Sequence, residues 1–289
     1  MRKRLFLLTF ILIPLLSKGQ EATSVFNFLK IPMSAHVAAL GGDNVSLKLD
    51  DPTLVFSIRH TVAVTGQVFN YGSMDETDED GNVLGSFSAK DMAFSALYSY
   101  TMGNHWVGGA TGRFITSKYA DYSSTAVSVD LGLHYDNEEN GLSFGVALKN
   151  IGAQLSSFHE DHKEHLPFDM QVGVSQKMAH APFRFSLTLK DLTRWSNNYY
   201  FNPKGKSSFG RKLTNHIVFG VDFLPIDKIY VAAGYNFRRA NELKAAGSSH
   251  GAGLSFGAGL QTNKIKACVA YAKYHVDASS LLFNVSYSF

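Results

Sequence analysis

Residues 183–190 read F-R-F-S-L-T-L-K. Phe183, Phe185, Leu187 and Leu189 fall on one face of an extended chain, and Arg184, Ser186, Thr188 and Lys190 on the other. A period of two marks a strand with one apolar and one polar face. A helix would instead gather positions three and four apart and mix Phe183 with Ser186.

The pattern recurs through most of the chain. From Thr61 onward, about a dozen segments of roughly ten residues alternate in this way. They are 61–74, 88–101, 105–118, 123–136, 141–152, 168–179, 183–192, 213–224, 228–238, 250–262, 265–274 and 279–289. Each is close to the length a tilted strand needs to cross a bilayer, about 9–11 residues. The connections alternate between short (102–104, 137–140, 180–182, 225–227, 263–264) and long (75–87, 153–167, 193–212, 239–249). Short turns on one rim and long loops on the other characterise outer-membrane barrels. The sequence therefore predicts an all-β chain folded as a transmembrane antiparallel up-and-down β-barrel of about twelve strands over residues 61–289. An even strand count returns both ends to the same rim.

The ends agree with export to such a membrane. Arg2, Lys3 and Arg4 precede an apolar run from Leu5 to Leu16, and Ser17 and Gly19 are small residues suited to cleavage. The expectation is a signal peptide over residues 1–19 and localisation to a Gram-negative outer membrane. Cleavage removes four of the 27 basic residues and leaves 23 against 24 acids, so no nucleic-acid partner is expected. The final strand places Leu281, Phe283, Val285, Tyr287 and Phe289 on one face and stops on the aromatic. Cys268 is the single cysteine, so no intrachain disulfide can form. Mean hydropathy is −0.06 although 13% of residues are aromatic, as expected when apolar residues occupy every second position.

Two copies of G-L-S-F-G, at 141–145 and 253–257, match the G-x-S-x-G elbow that presents a serine nucleophile. Alternation runs straight through Ser143 and Ser255, with no turn into a helical period. Both are read as strand residues whose small faces point inward, and no catalytic residue, cofactor or metal site is expected. No S-x-x-K, P-loop, dinucleotide fingerprint or H-E-x-x-H occurs. The run His159, Glu160, Asp161, His162, Lys163, Glu164, His165 lacks regular ligand spacing and reads as a solvated loop. Asp75, Glu76, Asp78, Glu79 and Asp80 read as an acidic loop with a turn at Asp80-Gly81. On the polar faces, Arg113, Asp130, His134, Lys149, Arg184, Lys190, Asp222 and Arg238 are expected to point into the lumen and pair there.

Residues 25–58 do not alternate, and 20–60 are read as a tether ahead of the barrel. Ser34 is a candidate N-cap, Ala35 to Leu40 about two helical turns, and Gly41-Gly42 a stop. So short a helix needs a docking surface, and the expectation is a tether docked in or under the barrel.

The opening F-N-F-L-K-I-P-M-S-A-H-V-A-A-L-G-G-D-N-V-S-L-K-L-D-D-P resembles that of the PorV/PorQ family of Bacteroidetes outer-membrane proteins. Phe28, Leu29, Pro32, Ser34, Ala35, Ala38, Ala39, Leu40, Gly41, Gly42, Asn44, Val45, Ser46, Asp51 and Pro52 carry the likeness. Later stretches such as L-P-F-D-M-Q-V-G-V-S-Q-K-M (166–178) and H-A-P-F-R-F-S-L-T-L-K-D-L-T-R-W (180–195) resemble the PorQ branch. The resemblance implies a FadL-like barrel of about fourteen strands in the type IX secretion machinery. Against that pattern the chain is shorter by roughly thirty residues after Asp51-Pro52, a loss of two strands that preserves parity.

The resemblance also implies a non-enzymatic role in outer-membrane lipid: holding a PorZ-like surface protein within an attachment complex that includes PorU and PorV. Tyr199, Tyr200, Phe201 and Phe209, on a long loop, are the candidate partner anchors. An alternative is a FadL-like transporter of hydrophobic small molecules; a third, an outer-membrane hydrolase, lacks a nucleophile–base pair in the sequence.

Overall fold

The computed structural model describes residues 24–47, 54–55, 59–80, 82–158, 163–195, 208–226, 228–245, 247, 251–262, 264–274 and 279–287. The proposed signal peptide, Tyr199, Tyr200, Phe201, His159–His162 and Phe289 lie outside them. The fold is all-β. Strands β1 (Leu54–Val55), β2 (His60–Thr77), β3 (Val83–Met102), β4 (Trp106–Tyr119), β5 (Tyr122–Asn137), β6 (Leu142–Ser156) and β7 (Asp169–Lys177) come first. They are followed by β8 (Phe183–Leu189), β9 (Ile217–Ile226), β10 (Ile229–Asn236), β11 (Leu254–Gln261), β12 (Ile265–Ala272) and β13 (Ser280–Tyr287). One sheet holds them in sequence order, every neighbour antiparallel. Strands β2 to β13 correspond one for one to the alternating segments. The two-residue β1, which pairs Leu54 with Val62, carries no periodic signal and was not expected.

Alternation decides which face is which. Phe185, Leu187, Phe219, Val231, Phe256 and Phe283 are exposed on the outer face, while Ser186, Thr188, Val218, Ala232, Ser255 and Ala270 are buried on the inner. The apolar residues outside and the small or polar ones inside invert the order of a water-soluble sandwich. Trp106 against Tyr135 and Phe183 against Phe223 place aromatic pairs beside the short turns.

The interior is occupied by the chain's own opening. Residues 24–47 form a 3-10 turn (Asn27–Lys30), helix α1 (Ala35–Ala39) and a bend. This segment packs against Ala93 of β3, Ile115 of β4 and Ala126 of β5 through Phe26 and Phe28, and against Ala232 of β10 and Ala270 of β12 through α1. A single segment can meet the inner faces of strands so far apart only if the sheet curls around it, which gives the sheet its barrel character.

Three expectations need correction. The acidic stretch 75–87 is not a long loop: β2 and β3 run on as an 18- and 20-residue hairpin. Its end is tied by Asp78, whose carboxylate accepts from the backbone N–H of Asp80 (3.0 Å) and Asn82 (2.8 Å). Beyond Asn70 both faces of β2 are solvated, so no apolar alternation marks it. Residues 213–215 belong to helix α2 (Phe209–Asn215), not to a strand. The segment 228–238 ends as a strand at Asn236, and Phe237–Ala245 form helix α3. Arg238 therefore sits on a helix at the rim rather than on a wall strand.

Candidate functional site: an occupied lumen

Ser34 caps α1 as its side chain accepts from Val37 N–H (3.4 Å). The helix ends because Gly41 (φ 105°) and Gly42 (φ 95°) enter a conformation that costs glycine little. Its small side chains, Ala35, Ala38 and Ala39, are fully buried and let its backbone approach the wall. The wall is correspondingly bare. A β-carbon on Gly145 of β6 would collide with the Val45 carbonyl, one on Gly234 of β10 with Leu40 and Gly41 backbone, and one on Gly257 of β11 with Ala39.

Polar residues of the wall and of helix α3 at its rim then satisfy the backbone groups a short helix leaves open. Ser255 Oγ donates to the Ala39 carbonyl at 2.8 Å. Asn236 Nδ2 and Arg239 Nη2 each donate to the Gly41 carbonyl at 3.1 Å. At the other end, Asn284 of β13 accepts from Ala35 N–H, and its Nδ2 donates to the Met33 carbonyl at 3.1 Å. Asn44 Oδ1 accepts from Ser46 N–H (3.0 Å), Ser46 Oγ (2.9 Å) and Leu47 N–H (3.2 Å), fixing the bend.

Charges lock the segment in place. His36 Nε2 lies 2.7 Å from Asp222 Oδ1, Arg184 Nη2 lies 2.9 Å from Asp222 Oδ2, and the His36 ring stacks on Tyr230. Asp43 pairs with Lys190 and accepts from Gln171 Nε2 at 3.0 Å. Burial alone would lower the Lys190 pKa, but the Asp43, Asp191 and Asp169 carboxylates outweigh it and hold the ammonium above its usual value. Elsewhere on the inner wall, Arg113 pairs with Asp130 (2.8 Å) and donates to Asn150 Oδ1 (2.8 Å). Lys149 stands opposite Asp169 in the β6–β7 ladder.

Of the residues that carry the family resemblance, Phe28, Leu29, Pro32, Ser34, Ala35, Ala38, Ala39, Leu40, Gly41, Gly42 and Asn44 all lie in this inner segment. The sequence did not disclose that His36 and Asp43 supply the partners of Asp222 and Lys190. Ser143 and Ser255 sit within β6 and β11, the first donating to Asp136 (2.6 Å) and the second to main chain. Among the described residues, no group of three or more His, Cys, Asp or Glu could hold a metal ion. Among them also, no helix is long and apolar enough to cross a membrane.

One rim carries a second feature. Helices α2 and α3 pack together there, Asn241 Nδ2 donating to Asn215 Oδ1. Arg238 pairs with Asp191 (3.1 Å) and Glu242 (2.9 Å). Trp195 stacks on Phe209 at 6.1 Å between centroids and rests 4.2 Å from His216. Phe209 is 71% exposed. Trp195, which sequence reasoning left out of the anchor set, thus shares its surface. His216 is buried, and this lowers its pKa; the Lys190 carbonyl and Asp191 act in the opposite sense without reversing the shift.

Neither models of known protein families nor the curated proteins compared with this sequence give a match.

Proposed function

We propose that the chain is an outer-membrane β-barrel with a filled lumen, acting as a non-enzymatic docking component of a type IX attachment complex. The observation that carries this reading is the inner segment 24–47, wedged against glycines and tied by ion pairs to β9 and to Lys190 beyond β8. Among the described residues this segment takes up the inner face from β3 to β12, which leaves the outside and the rims as the candidate working surfaces. The apolar outer band suits lipid. The rim bearing Trp195 and Phe209 suits a protein, because an aromatic already stacked on a neighbour gives contact area at little entropic cost.

The partner implied by the family resemblance is a PorZ-like surface protein, in company with PorU and PorV. An affinity-tagged chain is expected to capture the PorZ-like protein from cell envelopes. Alanine at Tyr199, Tyr200, Phe201 and Phe209 together should abolish capture while leaving heat-modifiable migration on gels unchanged. Unchanged capture would sink the docking assignment. The transporter alternative requires a route past this inner segment, and labelled fatty-acid uptake into liposomes bearing the protein separates the two.

A further inference from the structure

The two-residue β1 covers only Thr61 and Val62 on the edge of β2; beyond it, among the described residues, no ladder joins β2 to β13 at the other end of the curled sheet. A cleft of about 1000 Å³ lies between residues 64–69 of β2 and 280–286 of β13, with Ile31–Ser34 at its back. Outer residues along both edges are far more exposed than their counterparts inside the sheet. Val285 is 78%, Phe283 72% and Val64 70% exposed, against 39% for Phe185 and 49% for Val231. The two edges are thus a seam in the wall.

The inner segment explains why these edges do not meet among the described residues. Closing it would shrink the circumference, yet Gly145, Gly234 and Gly257 already touch the segment as closely as glycine permits. Asn284 of β13 also holds Met33 and Ala35 at the back of the opening. Among the described residues, the twelve strands β2 to β13 do not meet around this filling.

An open edge inside a membrane exposes backbone N–H and C=O groups where no water can pair with them, at several kcal/mol each. An acyl chain covers such an edge without bonding to it; another strand bonds to it. Direction narrows the choice. Twelve alternating strands make β2 and β13 run in opposite directions, so each edge suits the other. A two-fold axis along the membrane normal would set β13 of one copy against β2 of its partner, antiparallel, at both seams at once. Such an isologous arrangement is the commonest form of assembly.

We propose that the seam is an interface between two copies of this chain, each β13 pairing with the partner's β2. This rests on the membrane reading above. The test uses the full chain with Cys268→Ser and paired cysteines, one at Val64, Gly66 or Val68 and one at Leu281, Phe283 or Val285, reconstituted in phospholipid vesicles and oxidised. At least one of the nine pairings is expected to give a disulfide-linked dimer. Native mass spectrometry of the unmodified chain from nanodiscs is expected to give twice the chain mass. A disulfide within one chain would mean the barrel closes on itself and would overturn the proposal. So would a monomer mass, with or without bound lipid, or a complex with a different protein; each leaves the membrane reading standing if the chain still floats with the vesicles. A chain that does not float overturns both.

Discussion

The Asp222 carboxylate, fully buried on β9, receives His36 from the inner segment on one oxygen and Arg184 from β8 on the other. The wall and its filling therefore share one anion. Removing it leaves the buried His36 and the half-buried Arg184 without their shared anion, which costs at most about 3–5 kcal/mol. Asp222→Ala should lower the temperature at which the protein loses its compact migration in detergent far more than His36→Ala, which leaves Arg184 to neutralise Asp222. Equal effects of the two would show that the pair does not act as drawn.

The glycine contacts make a sharper claim about the filling itself. Gly145→Val places its side chain where the Val45 carbonyl lies, and backbone cannot yield as a flexible side chain can. The wall strands pair independently of this contact, so the expected outcome is a folded barrel with a displaced segment. Ser46, fully buried, reports on it. In a Cys268→Ser background, Ser46→Cys should resist maleimide in the parent and react at least tenfold faster when Gly145→Val is added. Equal rates would mean that the segment tolerates the collision.

The rim carries a pH dependence. His216 is buried, and its Nδ1 lies 2.8 Å from the Lys190 carbonyl, which can only accept, so that nitrogen bears the proton. Burial depresses its pKa in the folded state, with Arg238 and Lys190 adding to the effect. The unfolded chain, with histidine near 6.5, thus takes up a proton more readily than the folded one. The associated stability is fully present above about pH 6.5 and is lost as pH falls below it. Melting temperatures should drop between pH 7 and pH 5, and His216→Asn should flatten that drop. An unchanged slope in the variant would remove His216 from this role.

Much of this architecture is legible in the sequence because strand alternation is local. Phe183 to Leu189 reveal their faces without reference to any other strand, and Ser34 with Gly41-Gly42 marks α1 by capping chemistry alone. What escaped is either non-local or two-sided. His36 and Asp222 are 186 positions apart, and nothing in either neighbourhood names the other. The far ends of β2 and β3 are solvated on both faces, so they look like loop. Arg238 continued the alternation of Tyr235 to Phe237 by coincidence. The helical period that begins there, with Ala240 and Leu243 buried and Arg238 bonded to Glu242, offered the competing signal.

The most direct test returns to residues 183–188. Spin labels placed singly at each position in a Cys268→Ser chain, reconstituted in phospholipid vesicles, report collisions with oxygen, which concentrates in lipid, and with a water-soluble nickel complex. A lipid-facing, filled barrel requires high oxygen and low nickel accessibility at 183, 185 and 187, and low accessibility to both at 184, 186 and 188. Nickel access at 185 and 187 equal to that of a solvated loop, or uniform protection along the stretch, would contradict a barrel that faces lipid outside and is filled within.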